Sequence, residues 1–438
     1  MSDAARTTVD GLVATRLQLL SPFTRKELEQ VQMERLRQTV AHVLRNSPLY
    51  TKRLSGLKIE SLRGRIDLEE IPFLTSEDII ESGHLLHCVS QSEVVRIITM
   101  HTSGSTGRPK RFSFTAADLD ATLDFFYHGM RTLVDRSDRV LVLLPFEAEA
   151  SVGDLLIRAL MENGIYTAGL WPPPAPTHLA KHLHRNQISS VVGLPQQLLA
   201  LSEDIEYGQL KSMLLCSDYA PQALRRRIEQ NAGCTTYLHY GATESGLGGA
   251  VECAVHRGLH IRESELLIEI VDPVTGKQLP DGVAGEVVLT TLGRQAMPLI
   301  RYRTGDIACL DRRPCQCGGV TARLSVIYGR LQGCPLADGS RLYSQTIDDI
   351  LFTVPGLLDY RLTLVNKGTD RIGVEYIAAS GAIDVATQMK RLLQEIPDIY
   401  RAMGTGALLF DAFQQVDRFA PTHTVKRTIL DLRLKGEV

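Results

Sequence analysis

The stretch HTSGSTGRPK, from His101 to Lys110, decides how the rest of the chain is to be read. Seven of its ten residues are Gly, Ser, Thr or Lys, so backbone N–H groups and hydroxyls can converge on one anion, with a cation closing the run. That composition describes a polyphosphate cradle. The Walker pattern G-x-x-x-x-G-K-[ST] is absent, because the glycines are Gly104 and Gly107 and Lys110 follows a proline. Strand-like sequence lies on both sides: Val94 to Met100 before it, and Arg111 to Phe114 after it, where Phe112 and Phe114 alternate with polar residues. Thr115, with Asp118 three residues later, then forms a capping box. The cradle is therefore expected in a loop between two strands, not on a helix N-terminus. Taken alone, a Ser/Gly/Thr run also describes a polar turn, and its partners elsewhere in the chain decide the matter.

Upstream, Thr24 to Tyr50 has apolar residues at near-helical spacing and reads as a helix that Pro48 ends. Downstream, Ala116 to Val134 reads as a helix with one face on a core. The pattern then alternates. Strand candidates at Arg139 to Leu144, Tyr166 to Leu170, Ser189 to Gly193 and Met213 to Cys216 are separated by helix candidates at Val152 to Glu162, His178 to His184, Gln196 to Ser202 and Pro221 to Gln230. Such repetition means parallel sheet with helices on its faces, and ligands bind at the carboxyl ends of its strands. The connector WPPPAP, Trp171 to Pro176, is stiff and extended. Beyond Gly258 short strands take over, Leu266 to Val271 and Gly285 to Thr291, which suggests a small antiparallel or barrel-like subdomain. From about Tyr328 a new unit begins, with strands near Tyr360 to Val365 and Arg371 to Ile377, a helix near Ala386 to Glu395 and a basic end, HTVKRTILDLRLK.

The expected fold is α/β: a large N-terminal lobe, 1–328, of mostly parallel sheets and helices plus a small β subdomain, and a small, mobile α+β C-terminal lobe, 329–438. A chain of 438 residues exceeds what one compact core usually holds. Hydrophobic residues at 44% and charged ones at 22% suit a globular protein with a sizeable core. A formal net charge of -2 argues against nucleic acid or an anionic membrane as the main partner. With a polar start, MSDAARTTVDG, and no long apolar run, a cytoplasmic location is expected. Eight scattered cysteines are not a disulfide framework, and read as core residues or metal ligands.

Two further segments carry chemistry. The strand Thr235 to Tyr240 runs into Gly241-Ala242-Thr243-Glu244, which sets a hydroxyl and a carboxylate at a strand's carboxyl end, suited to phosphate and Mg²⁺. In Arg301-Tyr302-Arg303-Thr304-Gly305-Asp306, one carboxylate after a glycine can accept both hydroxyls of a ribose, or can be a turn residue.

The cradle TSGSTGRPK, the element YGATE at Tyr240 to Glu244, the element YRTGD at Tyr302 to Asp306 and the pair Gly329-Arg330 resemble, in order and spacing, the adenylate-forming enzymes. The opening LEQVQMERLRQTVAHVLRNSPLYTKRL and IPFLTSEDI, Ile71 to Ile79, are similar to the phenylacetate-CoA ligase branch. This resemblance implies that Thr102, Ser103, Gly104, Ser105, Thr106, Gly107 and Lys110 hold the ATP phosphates. It implies further that Tyr240 and Gly241 lie beside adenine, Thr243 contacts the α-phosphate, Glu244 holds Mg²⁺, and Asp306 with Arg330 holds the ribose. The implied reaction is attack of a carboxylate on the α-phosphorus with release of pyrophosphate, then thioester formation with CoA. The acid pocket is expected near Leu144 to Ser151, Gly193 to Gln197 and Ser217 to Tyr219, whose mixture of residues allows an aryl or a short acyl group.

Two departures stand out. The family's acidic hinge residue after Gly-Arg is replaced by Leu331-Gln332-Gly333, and its C-terminal Gly-Lys is similar in position to His423-Thr424, leaving Lys426 as the nearest adenylation lysine. These departures keep two alternatives open: an enzyme that stops at the adenylate or hands it to a non-CoA acceptor, and a non-catalytic nucleotide-binding regulator. A homodimer is compatible with either. Separately, Cys253-x-x-His256 and Cys315-x-Cys317 can complete a closed tetrahedral Zn²⁺ site, with His260 as a competing fourth ligand.

Overall fold

The computed structural model describes residues 7–100, 109–419 and 426–433. Their backbone packs as two compact units, residues 1–172 with 237–327, and residues 173–236 with 328–438. The later crossing between units falls at Ile327 and Tyr328. The segment 173–236, however, packs with the C-terminal residues, partly through Arg227 Nη1, which donates to the Leu357 carbonyl at 2.6 Å.

In the first unit, Arg96–Met100 and Lys110–Phe114 form an antiparallel pair in which Met100 faces Lys110. The two ends of the cradle are thus held side by side. Thr115 accepts from the Asp118 N–H and Asp118 returns the contact, so the helix Ala116–Met130 starts where its capping box predicts. Arg139–Val142 and Tyr166–Gly169 are parallel strands joined through the helix Val152–Met161. Leu266–Val271, Gly285–Thr291 and Tyr302–Ala308 then pair antiparallel in that order, and another strand set runs through Ala250–Glu252, Leu259–Ile261 and Arg323–Leu324. Leu266–Val271 and Gly285–Thr291 are buried at every residue, as their mainly apolar composition requires, whereas Tyr302–Ala308 is half-buried at four positions.

Pro48 does not simply stop the N-terminal helix. The helix Arg25–Asn46 closes at Ser47, and Pro48 opens a second one, Pro48–Arg53, because a proline at the first helical position forfeits no hydrogen bond. Arg301, at the entrance to Tyr302–Ala308, has a left-handed φ of 48° and a fully buried guanidinium. Glu269 binds it through two bonds of 3.0 and 3.1 Å, the Ile71 carbonyl takes a third N–H, and the ring of Phe73 lies 4.2 Å beneath. The buried charge is thereby fully paired.

In the second unit, Ser190–Gly193 and Ser212–Leu215 are parallel strands with the helix Pro195–Ser202 between them. Its C-terminal part is a four-strand sheet in the order Leu408–Gln415, Asp370–Ala378, Leu357–Asn366, Leu430–Asp431. Among the described residues no helix is long and apolar enough to cross a membrane.

Candidate active site

Three segments of the first unit converge on one buried contact. Lys110 arrives as the first residue of the strand that leaves the cradle, Glu244 from the turn after Tyr240, and Tyr302 from the start of its strand. Lys110 Nζ donates to Glu244 Oε1 at 2.7 Å and to the Tyr302 hydroxyl at 3.1 Å, and Tyr302 donates to the same Oε1 at 3.2 Å. Ser76 Oγ lies 2.9 Å from that hydroxyl. Lys110 is 9% exposed and Glu244 6%, so the pair is largely out of water.

Burial opposes both charges, and each partner overcomes it for the other. Lys110 is held above the usual lysine range by Glu244, and Glu244 below the usual carboxylate range by Lys110. The Tyr302 phenol is pushed up to about 12, by burial first and by Glu244 second, so it stays a proton donor. The ammonium and carboxylate thus neutralise one another. A polyanion and a divalent cation arriving together can take the two over without leaving either charge unpaired.

The turn that carries Glu244 is specified locally. Gly246 has a φ of 76°, and Ser245 Oγ accepts from the Ala242 N–H at 3.1 Å. A Cβ on Gly241 would sit 2.4 Å from the Leu247 carbonyl oxygen, so close backbone approach alone demands glycine there. Thr243 and Glu244 are both buried at this turn.

Tyr240 donates to Asp306 Oδ2 at 3.0 Å, bringing the YGATE and YRTGD elements together. Asp306 is on the strand Tyr302–Ala308 and not in a turn; Gly305, with a φ of 75°, bends the strand just before it. The residues Thr102, Ser103, Gly104, Ser105, Thr106 and Gly107 lie outside the described residues, as do His423 and Thr424. Arg330 is exposed and belongs to the second unit.

A second cluster gathers Cys253, His260, Cys315 and Cys317, whose ligand atoms all lie within 4.8 Å of one another. Here the sequence expectation is corrected. His256, placed with the cysteines by its C-x-x-H spacing, instead sets Nδ1 3.2 Å from Glu252 Oε2 and packs its ring against Tyr237. His260 takes the fourth place because its strand, Leu259–Ile261, pairs Val251 with His260 and Arg323 with His260, which aligns the ring with both cysteine segments.

The family model of the AMP-binding enzymes matches residues 64–298, more than half of the 438. The chain belongs to the AMP-binding enzyme family. The phenylacetate-coenzyme A ligase of Thermus thermophilus is 28% identical over 80% of this chain and 81% of its own length. That of Pseudomonas putida is 28% identical over 78% and 79%. In backbone, a 2-hydroxyisobutyryl-CoA ligase superposes with a TM-score of 0.74 at 19% identity, covering 92% of this chain and 89% of its own. The α/β fold is thus that of this family.

In this AMP-binding enzyme the residues near Lys426 hold a feature that sequence reasoning missed. Lys426 is exposed, close enough for its charge to be felt at the buried Cys216 thiol, whereas its neighbour Arg427 has a side chain only 5% exposed. Arg427 donates to Asp348 Oδ1 at 3.0 Å, to Gln196 Oε1 at 2.8 Å and to the Tyr219 carbonyl at 2.6 Å, and its backbone N–H donates to Asp218 Oδ2 at 3.0 Å. The basic tail is thereby pinned onto Gln196 and Asp218–Tyr219, within two of the segments expected to line the acid pocket. The only signal in the sequence was a second cation beside Lys426, and nothing in the tail itself names the distant carboxylates.

Proposed function

We propose that the chain is an AMP-forming acid–CoA ligase. It activates an aryl or short acyl carboxylate with ATP and Mg²⁺, releasing pyrophosphate and forming an acyl-adenylate, and passes the acyl group to the CoA thiol with release of AMP. The observation that carries this reading is the buried contact of Lys110, Glu244 and Tyr302, in which the cradle lysine meets the YGATE carboxylate. Curated relatives that are phenylacetate-coenzyme A ligases over four-fifths of the chain support the reaction class.

An in-line displacement at phosphorus requires positioning and neutralised charge more than covalent catalysis. Lys110 would transfer from Glu244 to the polyphosphate, beside the cradle Thr102, Ser103, Gly104, Ser105, Thr106 and Gly107. Glu244, released, would hold Mg²⁺, which supplies charge neutralisation at the phosphates. Glu244 suits that place, since its buried carboxylate is acceptor-only and two donors share a single oxygen of it. Thr243 would donate to the α-phosphate. Tyr240 and Gly241 would lie along the adenine, and Asp306 with Arg330 would hold the ribose hydroxyls, Tyr240 fixing the Asp306 carboxylate at 3.0 Å.

The test is acid-dependent exchange of labelled pyrophosphate into ATP across a panel of acids led by phenylacetate, followed by addition of CoA. Exchange followed by a CoA-dependent thioester supports the ligase. Exchange with no thioester supports adenylation for a non-CoA acceptor, the reading favoured by the substituted Gly-Lys and hinge residues. Nucleotide binding without exchange would make the chain a regulator.

The lobe from 329 to 438 is proposed to turn at Leu331-Gln332 between the two half-reactions, with Lys426 neutralising charge that develops only in adenylation. Lys426→Ala is expected to lower pyrophosphate exchange by about 10²-fold, the scale of one lost charge-stabilising donor, while a supplied acyl-adenylate is still converted to thioester. Gln332→Pro is expected to slow passage between steps more than adenylation. Equal loss of both steps in Lys426→Ala, or no loss in Gln332→Pro, excludes this division of labour.

A further inference from the structure

We propose that Cys253, His260, Cys315 and Cys317 form a closed structural Zn²⁺ site, and that Asp10 and Thr321 preset His260 as its nitrogen ligand, so that the metal fastens the N-terminal helix Thr8–Leu17 to the sheet. Three thiol sulfurs and one imidazole nitrogen are a set that selects zinc among common cellular divalent cations, and a set of four leaves no open position for substrate. Cys253 Sγ and Cys315 Sγ are 3.9 Å apart, against about 3.8 Å for the edge of a tetrahedron with Zn–S bonds near 2.3 Å. That separation is far too long for a disulfide, and all the cysteines are free. Cys317 Sγ lies 3.3 Å from His260 Nε2. Binding would release the three thiol protons to solvent as the sulfurs become thiolates.

The orientation of His260 follows from hydrogen-bond capacity alone. Asp10 is buried, 1% exposed, and its carboxylate can only accept. It takes the Val320 N–H at 2.6 Å and the Thr321 hydroxyl at 2.7 Å. That hydroxyl has one proton, now committed to Asp10, so toward His260 Nδ1 at 2.8 Å it can only accept. Nδ1 therefore carries the ring proton. Nε2 is left with its lone pair directed among the sulfurs, the form a metal requires.

The surrounding backbone is shaped for the same end. A Cβ on Gly319 would lie 2.7 Å from His260 Cε1 and 3.3 Å from Cys317 Sγ, so the loop can close over the ring only with glycine. The Gly319 N–H donates to Cys317 Sγ at 3.4 Å, which favours a thiolate there. Val320 packs on the core of Val13, Ala14, Leu17, Phe23 and Leu28, so the loop that supplies Cys315 and Cys317 also seats the helix Thr8–Leu17. The site thus joins a helix with little amphipathic character of its own to segments some 250 to 310 residues away, a large gain for a helix of ten residues that is marginal in isolation.

The full chain, purified without chelator, is expected to contain about one Zn²⁺ per chain by elemental analysis, the content of a single four-ligand site. Cobalt substitution should give intense thiolate-to-cobalt bands, which no carboxylate site produces. Thr321→Val is nearly isosteric and should keep the fold while weakening Zn²⁺, measured by competition with a chromophoric chelator, about 10- to 100-fold. His256→Ala should leave metal content unchanged, and chelation should raise hydrogen exchange in Thr8–Leu17 while sparing Arg139–Val142. Absence of stoichiometric zinc with no cobalt–thiolate band overturns the site. Unchanged affinity in Thr321→Val overturns the presetting of His260, and unaltered exchange in the helix after metal removal overturns the fastening role. Each readout is independent of the adenylation reaction.

Discussion

Lys110→Met and Glu244→Gln are each expected to reduce acid-dependent pyrophosphate exchange by about 10²- to 10³-fold, the usual loss when one preorganised charge is withdrawn from a transition state. Because the two side chains are buried against each other, neither single variant should be silent in stability. Removing one member of a buried pair strands the other charge, at a typical cost of about 3–5 kcal/mol. The double variant Lys110→Met/Glu244→Gln should recover much of that stability, since no bare charge remains, and yet stay inactive. Exchange assays beside thermal unfolding of all three proteins separate the effects. A double variant that regains exchange as well as stability would mean the pair serves folding alone, and the proposed exchange of partners during catalysis would fall.

The second large effect is expected at Arg427. Arg427→Met would leave Asp218 and Asp348 beside it without a cation in a dry site, and destabilise the second unit by about 3–5 kcal/mol. It should also alter the pH dependence of stability. In the native cluster, burial, only partly offset by Arg427, raises the Asp348 carboxyl to about 6 and that of Asp359 to about 7. Both exceed the value of about 3.9 expected in the unfolded chain. Between these limits the folded state binds more protons than the unfolded state, so stability falls as pH rises. The contribution is present in full below about pH 4 and is lost as pH passes through 6 and 7. Without Arg427 both carboxyls should titrate higher still, extending the decline above pH 7. Unfolding midpoints at a series of pH values test this. Asp359→Asn should flatten the slope, and a slope of the same size in that variant would assign it to other groups.

Much of this chain could be read from local pattern. Thr235–Tyr240, Leu266–Val271 and Gly285–Thr291 begin and end where their apolar runs and flanking glycines and prolines predict. The capping box at Thr115 and Asp118 fixes the start of its helix because both hydrogen bonds are made within four residues. Short-range signals of that kind also carried the family motifs, and with them Lys110, Glu244, Tyr240 and Asp306 as candidate site residues. The sequence further offered three cysteines and a histidine as candidate metal ligands. It did not determine which histidine, since C-x-x-H spacing counts residues along the chain, whereas ligand geometry depends on which strand lies opposite which. Strand pairing aligned His260 with both cysteine segments and turned His256 to Glu252. The same reason hid Asp10, some 250 residues from the histidine it orients through Thr321, and Arg427, whose carboxylates lie in segments far from the tail. Local bonding along the backbone is written in consecutive residues, while the pairing of buried charges is decided by what the tertiary fold brings within about 3 Å, the reach of a hydrogen bond.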